Sequence, residues 1–491
     1  MAAEVPSDVG EVEAALLACE GVAQAAVIAG APGDHVTAYV VLDHAAVQVA
    51  EARDAAKRDA SLRQWASVFE NTYHEVAAAE PSFLGWQSSY SGEPIPEAEM
   101  KLWLDETVER VKALGPCDVL EIGCGIGLVL GRVAPMCRSY LGADIAPQAV
   151  AALQKYVDTR PDLRHVHLTP GEATDSLGLH PGAVDTVVLN SVVQYFPDAE
   201  YLLAVLATAV EVLGGRGRIF VGDIRHRGLL EVFQSSVQLA WAPDTLSAPM
   251  LRRRVSRVVE RERELLLDPA FFAALPAQIP AISAARIALK RANSSNELSR
   301  YRYDAVIEVG GPVAPRPEAE FPWDDGKSSL GEIEAWLATL GRASARVIGV
   351  ANARLARDLA GWRLIGHASD AATAADLRGD VAAVAETGEE PGRFWELGER
   401  LGYDVEVSWS GEGPLGSFDV DFIDPARRSI GPSPSEKGAA AGPAAGAGAG
   451  GMERRLRASL LSRLAVSRIP STFLFVDSLP RVADGGVDPA G

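Results

Sequence analysis

The sequence predicts an α/β protein built on a parallel, doubly wound sheet, and two observations support this. Apolar strand candidates alternate with helical stretches between residues 60 and 310, which is the pattern of parallel strands joined by crossover helices. A glycine-rich loop, GCGIG from Gly123, directly follows one of these strands. Such a loop lets a ligand approach the backbone at the carboxyl edge of a sheet.

The predicted elements follow this alternation in order. Residues 9–18 have helical spacing behind Asp8, which suits an N-cap. Short apolar runs bounded by turn residues predict strands at 23–28, 36–42, 118–122, 139–143, 165–168, 184–190, 218–221, 345–350, 404–409 and 472–476. Apolar residues at intervals of three or four predict helices at 146–157, 201–213, 330–340 and 394–401.

Shifts in composition and pattern divide the chain into five segments. The alternating region at 60–310 is the main predicted domain, and a second pattern at 311–430 predicts a smaller appended α/β subdomain. Residues 431–452 are mostly glycine, alanine, proline and serine, which is typical of a flexible linker. The flanking segments 1–45 and 453–491 are each too short to bury a core alone, so we expect them to form a folded subdomain.

Composition restricts the partners of the chain. The formal net charge is −20 over 491 residues, and an acidic surface opposes binding to phosphate backbones. The basic run LRRRVSR from Leu251 continues into alternating charges, which favours a solvated helix face over a nucleic-acid site. Since there is no membrane-spanning apolar run and no signal-peptide pattern, we expect a cytoplasmic protein without a membrane partner. The four unpaired cysteines predict reduced thiols and no metal site.

The glycine loop and the acidic residues near it predict a cofactor site. Asp144 ends the next predicted strand, where a carboxylate accepts hydrogen bonds from ribose hydroxyls in dinucleotide-binding folds. NAD sites share much of this pattern, but the spacing here is GxGxG, and Glu121 lies inside the motif. A carboxylate there repels a pyrophosphate and tolerates a cation. The predicted cofactor is therefore S-adenosylmethionine, which combines a ribose with a permanent positive charge.

Motifs along most of the chain resemble a known family. They are similar to segments of the methyltransferase domains that interrupt adenylation domains in nonribosomal peptide synthetases: WQSSYSGEPIP from Trp86, VLNSVVQYFP from Val188, GDIR from Gly222, NELSRYRYD from Asn296 and VEVSWSG from Val405. In that family NELSRYRYD corresponds to a strand that closes the sheet. The flanking segments GEVEAALL from Gly10 and IPSTFLFVDSLP from Ile469 are similar to stretches near the eighth and tenth adenylation motifs.

This resemblance implies a Rossmann-like, class I S-adenosylmethionine-dependent methyltransferase between two remnants of an adenylation C-terminal subdomain, namely 1–45 and 453–491. It also implies N-methylation of the amine of an aminoacyl thioester on a carrier protein, and it allows docking to a synthetase. The large adenylation core is missing, and Gly486 stands where the family has the lysine that serves adenylate formation. We therefore expect no adenylation activity and a free-standing enzyme whose aminoacyl partner is supplied in trans.

The predicted cofactor site is built from the glycine loop and the strand ends. Its residues are Glu121, Gly123, Cys124, Gly125, Gly127, Asp144, Ile145, Glu172, Ala173, Asn190 and Ser191. Cys124 contributes its small size, and the resemblance places Glu172 and Ala173 beside the adenine. Asn190 ends a strand at the carboxyl edge, where it contacts the methionine part or the substrate, or serves as a cap.

The acceptor site needs groups that orient a neutral amine and exclude water. The predicted catalytic residues are Glu297, Asn190 and Tyr195, with Glu297 as the hydrogen-bond acceptor for the amine. The predicted substrate-binding residues are Tyr73, Trp86, Tyr90, Gln194, Arg225, Asn296 and Arg300. Structural alternatives stay open: the aromatic residues belong to a core, Gln194 and Tyr195 form a surface pair, and Arg225 forms an ion pair with Asp223.

Two other functions remain open from the sequence. The first is a methyltransferase that acts at O, C or N of a free small molecule, with the region 234–279 covering the acceptor. The second is a non-catalytic module that docks a synthetase. The intact glycine loop and Asp144 argue against the second, and cofactor binding separates it from the two enzymes.

Overall fold

The computed structural model describes residues 9–29, 36–74, 81–83, 85–291, 296–311, 317–385 and 387–427, together with 452, 456, 460, 470, 472–476, 478 and 479. The chain forms two compact units. The first combines Met1–Ala60 with Lys437–Gly491, and the second is Ser61–Glu436. None of the described helices has the length and hydropathy needed to cross a membrane.

The secondary structure alternates along the chain. The helices are α1 Val9–Leu17, α2 His44–His74, α3 Glu97–Ala113, α4 Leu130–Val133, α5 Pro147–Thr159, α6 Ala199–Val212, α7 Leu230–Trp241, α8 Ala248–Glu260, α9 Pro269–Ala273, α10 Leu275–Gln278, α11 Glu297–Tyr301, α12 Leu330–Thr339, α13 Ala356–His367, α14 Ala374–Ala383 and α15 Pro391–Leu401. The strands are β1 Val22–Ala29, β2 Val36–Leu42, β3 Asp118–Ile122, β4 Ser139–Asp144, β5 Val166–Pro170, β6 Thr186–Asn190, β7 Gly217–Arg225, β8 Ile282–Leu289, β9 Arg302–Val309, β10 Ala319–Pro322, β11 Ala345–Ala351, β12 Asp404–Trp409, β13 Ser417–Ile423 and β14 Thr472–Phe475.

A seven-stranded sheet forms the centre of the second unit, with the strand order β5-β4-β3-β6-β7-β9-β8. The first five strands in this order are parallel, and β9 runs antiparallel to both β7 and β8. All five residues of β6 are buried, as expected for a central strand covered on both faces. The predicted α/β class is confirmed, and the carboxyl ends of β3, β4, β6 and β7 meet at one edge.

Two stretches of the chain differ from what the sequence predicted. The segment NELSRYRYD, expected as a strand, divides into α11 and β9, because the Asn296 side chain accepts hydrogen bonds from the N–H groups of Leu298 and Ser299 and starts a helix. The region 44–74, which lacked a predicted element, is one continuous helix, α2. In neither segment do apolar residues recur at the regular spacing that predicts a helix.

A second sheet, β10-β11-β13-β12, belongs to the predicted appended subdomain. Its apolar face is not a separate core. Phe418 and Phe422 on β13 belong to the same buried cluster as Val205 on α6 and Ile307 on β9. The two sheets of the second unit are therefore joined by one continuous core.

The first unit has its own small core. Strands β1, β2 and β14 form a three-stranded sheet, in which β14 runs parallel to β2 and Phe473 faces Ala38 in the register. Leu16, Leu460 and Phe473 pack together in the interior. Described residues from the two end segments of the chain therefore share one sheet and one buried cluster.

Candidate functional site

A cavity of about 640 Å³ lies at the carboxyl edge of the seven-stranded sheet. The loop after β3, the ends of β4, β6 and β7, and residues from 82–89 and 262–266 line it. This volume is in the range of sites for cofactors and small substrates. Ligands of open parallel sheets bind at this same edge.

The glycine loop is shaped by close packing on its outer side. Gly123 and Gly127 have φ angles of 75° and 84°, in the left-handed region that favours glycine. A Cβ atom at Gly123 would lie 2.6 Å from Val192, and one at Gly127 would lie 2.4 Å from Leu153. The loop therefore presses against its neighbours and presents Gly123 and Gly125 to the cavity.

Asp144, at the end of β4, holds the glycine loop and lines the cavity. Its two carboxylate oxygens accept hydrogen bonds from the N–H groups of Gly125 and Ala146, each at 2.9 Å. Burial raises the pKa of Asp144, while these two hydrogen bonds act against the rise. An ionised carboxylate has about four acceptor sites, so about two remain for the hydroxyl groups of a ligand.

Glu121 is a second buried carboxyl group in the cavity wall, with 3% of the residue exposed. The Tyr140 hydroxyl donates a hydrogen bond to its Oε2 at 2.9 Å. Burial raises the pKa of Glu121 to about 8; the Tyr140 hydrogen bond lowers it, and the Asp144 charge raises it further. Glu121 is therefore mostly neutral at pH 7, and a cationic ligand would favour its ionised form.

The ends of β6 and β7 meet in an unusual backbone arrangement. Ser191 and Asp223 have φ angles of 54° and 65°, which residues other than glycine seldom adopt and which cluster at functional sites. The Ser191 hydroxyl donates to Asp223 Oδ2 at 2.8 Å. Beside them, Asn190 lines the cavity, and its buried Oδ1 has no hydrogen-bond partner among the described residues. A Cβ atom at Gly222 would lie 2.2 Å from this amide oxygen, so the oxygen packs closely against the end of β7.

Asp223 organises the residues around this edge. It is fully buried, accepts a hydrogen bond from Trp103 Nε1 at 3.0 Å and forms an ion pair with Arg302. Burial opposes its ionisation, but Arg302 and Lys290 together hold the pKa of Asp223 below its ordinary value. As an ionised and well-partnered group, Asp223 fixes Ser191, Trp103 and Arg302, all of which line the cavity.

Glu297, the first residue of α11, is buried in the cavity wall. One oxygen accepts a hydrogen bond from the Ser89 N–H and the other from the Ser89 hydroxyl, each at 2.8 Å. This contact ties α11 to the segment that contains Trp86. Since about two acceptor sites remain on the carboxylate, Glu297 can also accept a hydrogen bond from an amine.

Tyr195 and Arg225 line the cavity near the ends of β6 and β7. The Tyr195 ring lies 4.7 Å from that of Trp65, and burial raises the pKa of its phenol, so the hydroxyl stays protonated and suits a hydrogen-bond donor. Arg225 forms ion pairs with Glu262 at 2.8 Å and Glu264 at 2.7 Å. The alternative of an Arg225 pair with Asp223 is wrong, because the partner of Asp223 is Arg302.

The residues predicted from the sequence divide into two groups. Those that line the cavity are Glu121, Gly123, Cys124, Gly125, Asp144, Ile145, Ala173, Asn190, Ser191, Trp86, Tyr195, Arg225 and Glu297. Those that the structure places outside its lining are Gly127, Glu172, Tyr90, Gln194, Asn296 and Arg300. Tyr73 lies in α2, and its side chain falls outside the described part of the chain.

Several residues outside the lining have internal partners instead. Gln194 Nε2 donates to the Ser191 carbonyl at 3.0 Å, and Asn296 caps α11. Tyr90 donates to the Ser236 hydroxyl at 3.2 Å. These contacts give each residue a structural role, and direct contact with a substrate is not needed to explain it.

Sequence reasoning missed part of the cavity wall. The missed residues include Trp65, Trp103, Phe233, Glu262, Glu264, Tyr301 and Arg302. The alternation on β9 could have identified Arg302, because Arg302 and Asp304 share one face of the strand while Tyr303 and Ala305 share the other. No local signal connects Glu262 or Glu264 to Arg225, because only packing brings them together.

Comparison with known proteins identifies the domain. A family model described as a methyltransferase domain matches residues 120–219. The chain is 39% identical to chondramide synthase cmdD of Chondromyces crocatus over 84% of its own length and 11% of that protein. It is 32% identical to the probable non-canonical nonribosomal peptide synthetase CymA of Salinispora arenicola over 98% of its length and 6% of that protein. The chain thus spans only a small part of these curated relatives.

Similarity to solved structures is remote. The structure of magnesium protoporphyrin IX methyltransferase from Synechocystis PCC 6803 with bound SAH is 15% identical to this chain and has a TM-score of 0.32. The match covers 45% of this chain and 91% of that structure.

The family match has more weight, because residues 120–219 contain the glycine loop, Asp144 and Asn190. The buried carboxyl group of Glu121 in the cavity wall suits a cofactor with a positive charge. The chain therefore carries an S-adenosylmethionine-dependent methyltransferase domain with a Rossmann-like fold, in a sequence similar over most of its length to segments of nonribosomal peptide synthetases.

Proposed function

We propose that this domain N-methylates the amine of an aminoacyl thioester held on a carrier protein. The observation that carries the proposal is the position of Glu297. It is a buried carboxylate with spare acceptor sites, in the same cavity as the glycine loop and Asn190. An amine N–H is a natural partner for such a group, and the relatives that include this region are peptide synthetases.

Different residues of the cavity have different roles in methyl transfer. When bound, S-adenosylmethionine supplies an electrophilic methyl group, so the protein mainly has to place a neutral amine in line with it. Asp144 and Glu121 hold the ribose and the positive charge. Glu297 accepts an N–H hydrogen bond, which directs the nitrogen lone pair. Trp86 and Trp103, whose rings lie 4.8 Å apart, keep water from that part of the cavity.

The direct experiment is intact-mass measurement of carrier proteins loaded with different aminoacyl thioesters, each incubated with the protein and S-adenosylmethionine, beside the corresponding free amino acids. We expect a gain of one or more methyl groups on the carrier-bound species. Fragmentation of the product then locates the methyl group on the amine nitrogen. Gain on free compounds alone would favour a small-molecule methyltransferase, and no gain despite measured cofactor binding would contradict the proposal.

The Glu297→Gln variant tests the acceptor role. We expect kcat/KM for the carrier-bound substrate to fall by about 100-fold, as is typical when a positioned acid–base group is removed, while the Kd of the cofactor stays the same. Glu308→Gln is the matched control, since Glu308 is a partly buried carboxylate that pairs with Arg286 outside the cavity. Equal losses in both variants would show that Glu297 has no special role.

A further inference from the structure

Helix α8 presents an exposed row of arginines. Arg253, Arg254 and Arg257 are exposed, and their spacing of one, three and four residues places them on one face of the helix. The opposite face is apolar and packs inward, with Leu251 and Val255 buried. The helix therefore places three arginines of the basic run in solvent and the apolar residues of the run in the interior.

These three guanidinium groups have no ion-pair partner among the residues that the structure describes. Their neighbour Arg252 differs, because it bonds to Asp370 at 2.9 Å and to two carbonyl groups of the adjoining subdomain. Arg252 thus has a structural role that the exposed row lacks. Glu260, also exposed at the end of α8, reduces the local positive charge without cancelling it.

The residues that follow α8 in sequence line the cavity. Helix α8 ends at Glu260, and the next residues include Glu262 and Glu264, which line the cavity and pair with Arg225. Arg257 lies little more than one helical turn before Glu262. Arg263, between the two cavity glutamates, is also exposed. The exposed arginines of α8 are therefore followed in sequence by alternating basic and acidic residues that reach the cavity wall.

Two large apolar side chains are exposed, one on α8 itself and one at the end of the preceding helix α7. Met250, one turn before Arg253 and Arg254, is 51% exposed, and Trp241 at the end of α7 is 50% exposed. Trp241 Nε1 donates to the Ser89 carbonyl at 2.9 Å, and Ser89 lines the cavity. Tryptophan, methionine and arginine are enriched where proteins bind each other.

Charge indicates the kind of partner. A chain with a net charge of −20 repels an acidic protein at long range, so an unpaired basic row supplies the local attraction that such a partner needs. We propose that the exposed face of α8, with Met250 and Trp241, docks an acidic carrier protein that delivers the acceptor to the cavity. This inference rests on the proposed function and adds the surface at which the partner binds.

The test compares two forms of one acceptor. An aminoacyl group accepted in the mass measurement above is presented on its carrier protein and as a small N-acetylcysteamine thioester. For the double variant R253E/R254E, we expect KM for the carrier-bound form to rise about tenfold or more, with a weaker dependence on salt. Kinetics with the small thioester, and the Kd of S-adenosylmethionine, should stay unchanged.

The control K155E/R164E makes the same change in net charge at exposed positions elsewhere on the methyltransferase domain. An equal rise of KM in both double variants would overturn the inference, as would an unchanged KM in R253E/R254E or an equal loss with the small thioester. Binding of duplex DNA by the native protein, lost in R253E/R254E, would also overturn it in favour of a nucleic-acid site. If the native protein methylates neither thioester, the proposed function itself fails.

Discussion

At the scale of single residues, two buried carboxyl groups in one cavity wall have different hydrogen-bond partners. Asp144 accepts two backbone hydrogen bonds that stabilise its ionised form, whereas Glu121 accepts one from the Tyr140 hydroxyl and is almost completely buried. Burial raises the pKa of Glu121 to about 8. Burial also raises the pKa of Asp144, but its two backbone hydrogen bonds act against that rise. A cationic ligand would favour the ionised form of Glu121.

This difference predicts that cofactor binding depends on pH through Glu121. Below its pKa of about 8 the group is mostly neutral, and ionisation as the pH rises strengthens attraction to a cation. The Kd of S-adenosylmethionine should therefore fall from pH 6 to pH 8, by up to about tenfold per pH unit. Isothermal titration calorimetry of the native protein and of Glu121→Gln measures this.

The Glu121→Gln variant should lose the part of the pH dependence that belongs to this residue. The cofactor has titrating groups of its own, and the difference between the two proteins removes their contribution. Glu308→Gln, which changes a carboxylate outside the cavity lining, should keep the native pH profile. Identical profiles for the native protein and Glu121→Gln would contradict the assignment.

At the scale of elements, a buried carboxylate on α13 joins the second sheet region to the part of the cavity wall that contains Tyr301. Asp358 accepts hydrogen bonds from Ser236 on α7 at 2.6 Å, and from Arg300 at 2.7 Å and Tyr301 at 2.6 Å on α11. The Tyr301 ring, which lines the cavity, packs 4.8 Å from that of Phe233. Asp358 is thus a positioning residue for the cavity wall.

The Asp358→Asn variant should weaken the hydrogen bonds that position Arg300 and Tyr301. A lost hydrogen bond to a buried charged group costs about 1.5–3 kcal/mol, so we expect KM for the acceptor to rise about tenfold while the Kd of the cofactor changes little. Asp421→Asn is the control, because Asp421 pairs with Arg346 at 2.6 Å in the same subdomain. Steady-state kinetics that show equal effects on both substrates, or in both variants, would refute the positioning role.

At the scale of the whole molecule, the buried apolar residues that the structure describes form four clusters, of which one joins both sheets of the second unit and another belongs to the first unit. The second sheet shares one core with the methyltransferase sheet through residues such as Phe418. The first unit has another, which includes Phe473. We therefore expect the second unit to unfold as one cooperative body that contains both of its sheets.

Two phenylalanine substitutions distinguish these cores. Phe418→Ala, at a completely buried site, should lower the stability of the second unit by about 3–5 kcal/mol and weaken cofactor-dependent stabilisation. Phe473→Ala should destabilise the first unit and leave the cofactor Kd unchanged. Differential scanning calorimetry with and without S-adenosylmethionine checks both, and a cofactor Kd altered as strongly by Phe473→Ala as by Phe418→Ala would contradict the division.

The sequence by itself determined the parts of the protein that depend on neighbours along the chain. The glycine loop, Glu121 and the Asp144 strand end were identified because backbone conformation and the carboxyl ends of consecutive strands depend on local spacing. The α/β class followed from strand–helix alternation for the same reason. Asn190 was added to the predicted site because it ends a strand at the carboxyl edge of the sheet, and Glu297 because a carboxylate can accept a hydrogen bond from an amine.

Only the tertiary structure decided which distant groups meet. Asp223 pairs with Arg302 instead of Arg225, Arg225 pairs with Glu262, and Asp358 reaches α11 from another sheet region. These contacts join residues far apart in sequence. Because the charged groups are buried, a group that lost its partner would destabilise the fold. Such pairings depend on how helices and sheets pack around a shared core, and local patterns do not encode that packing. Much of the cavity lining outside the glycine loop and the strand ends takes part in such contacts, and this is the part of the lining that the sequence did not predict.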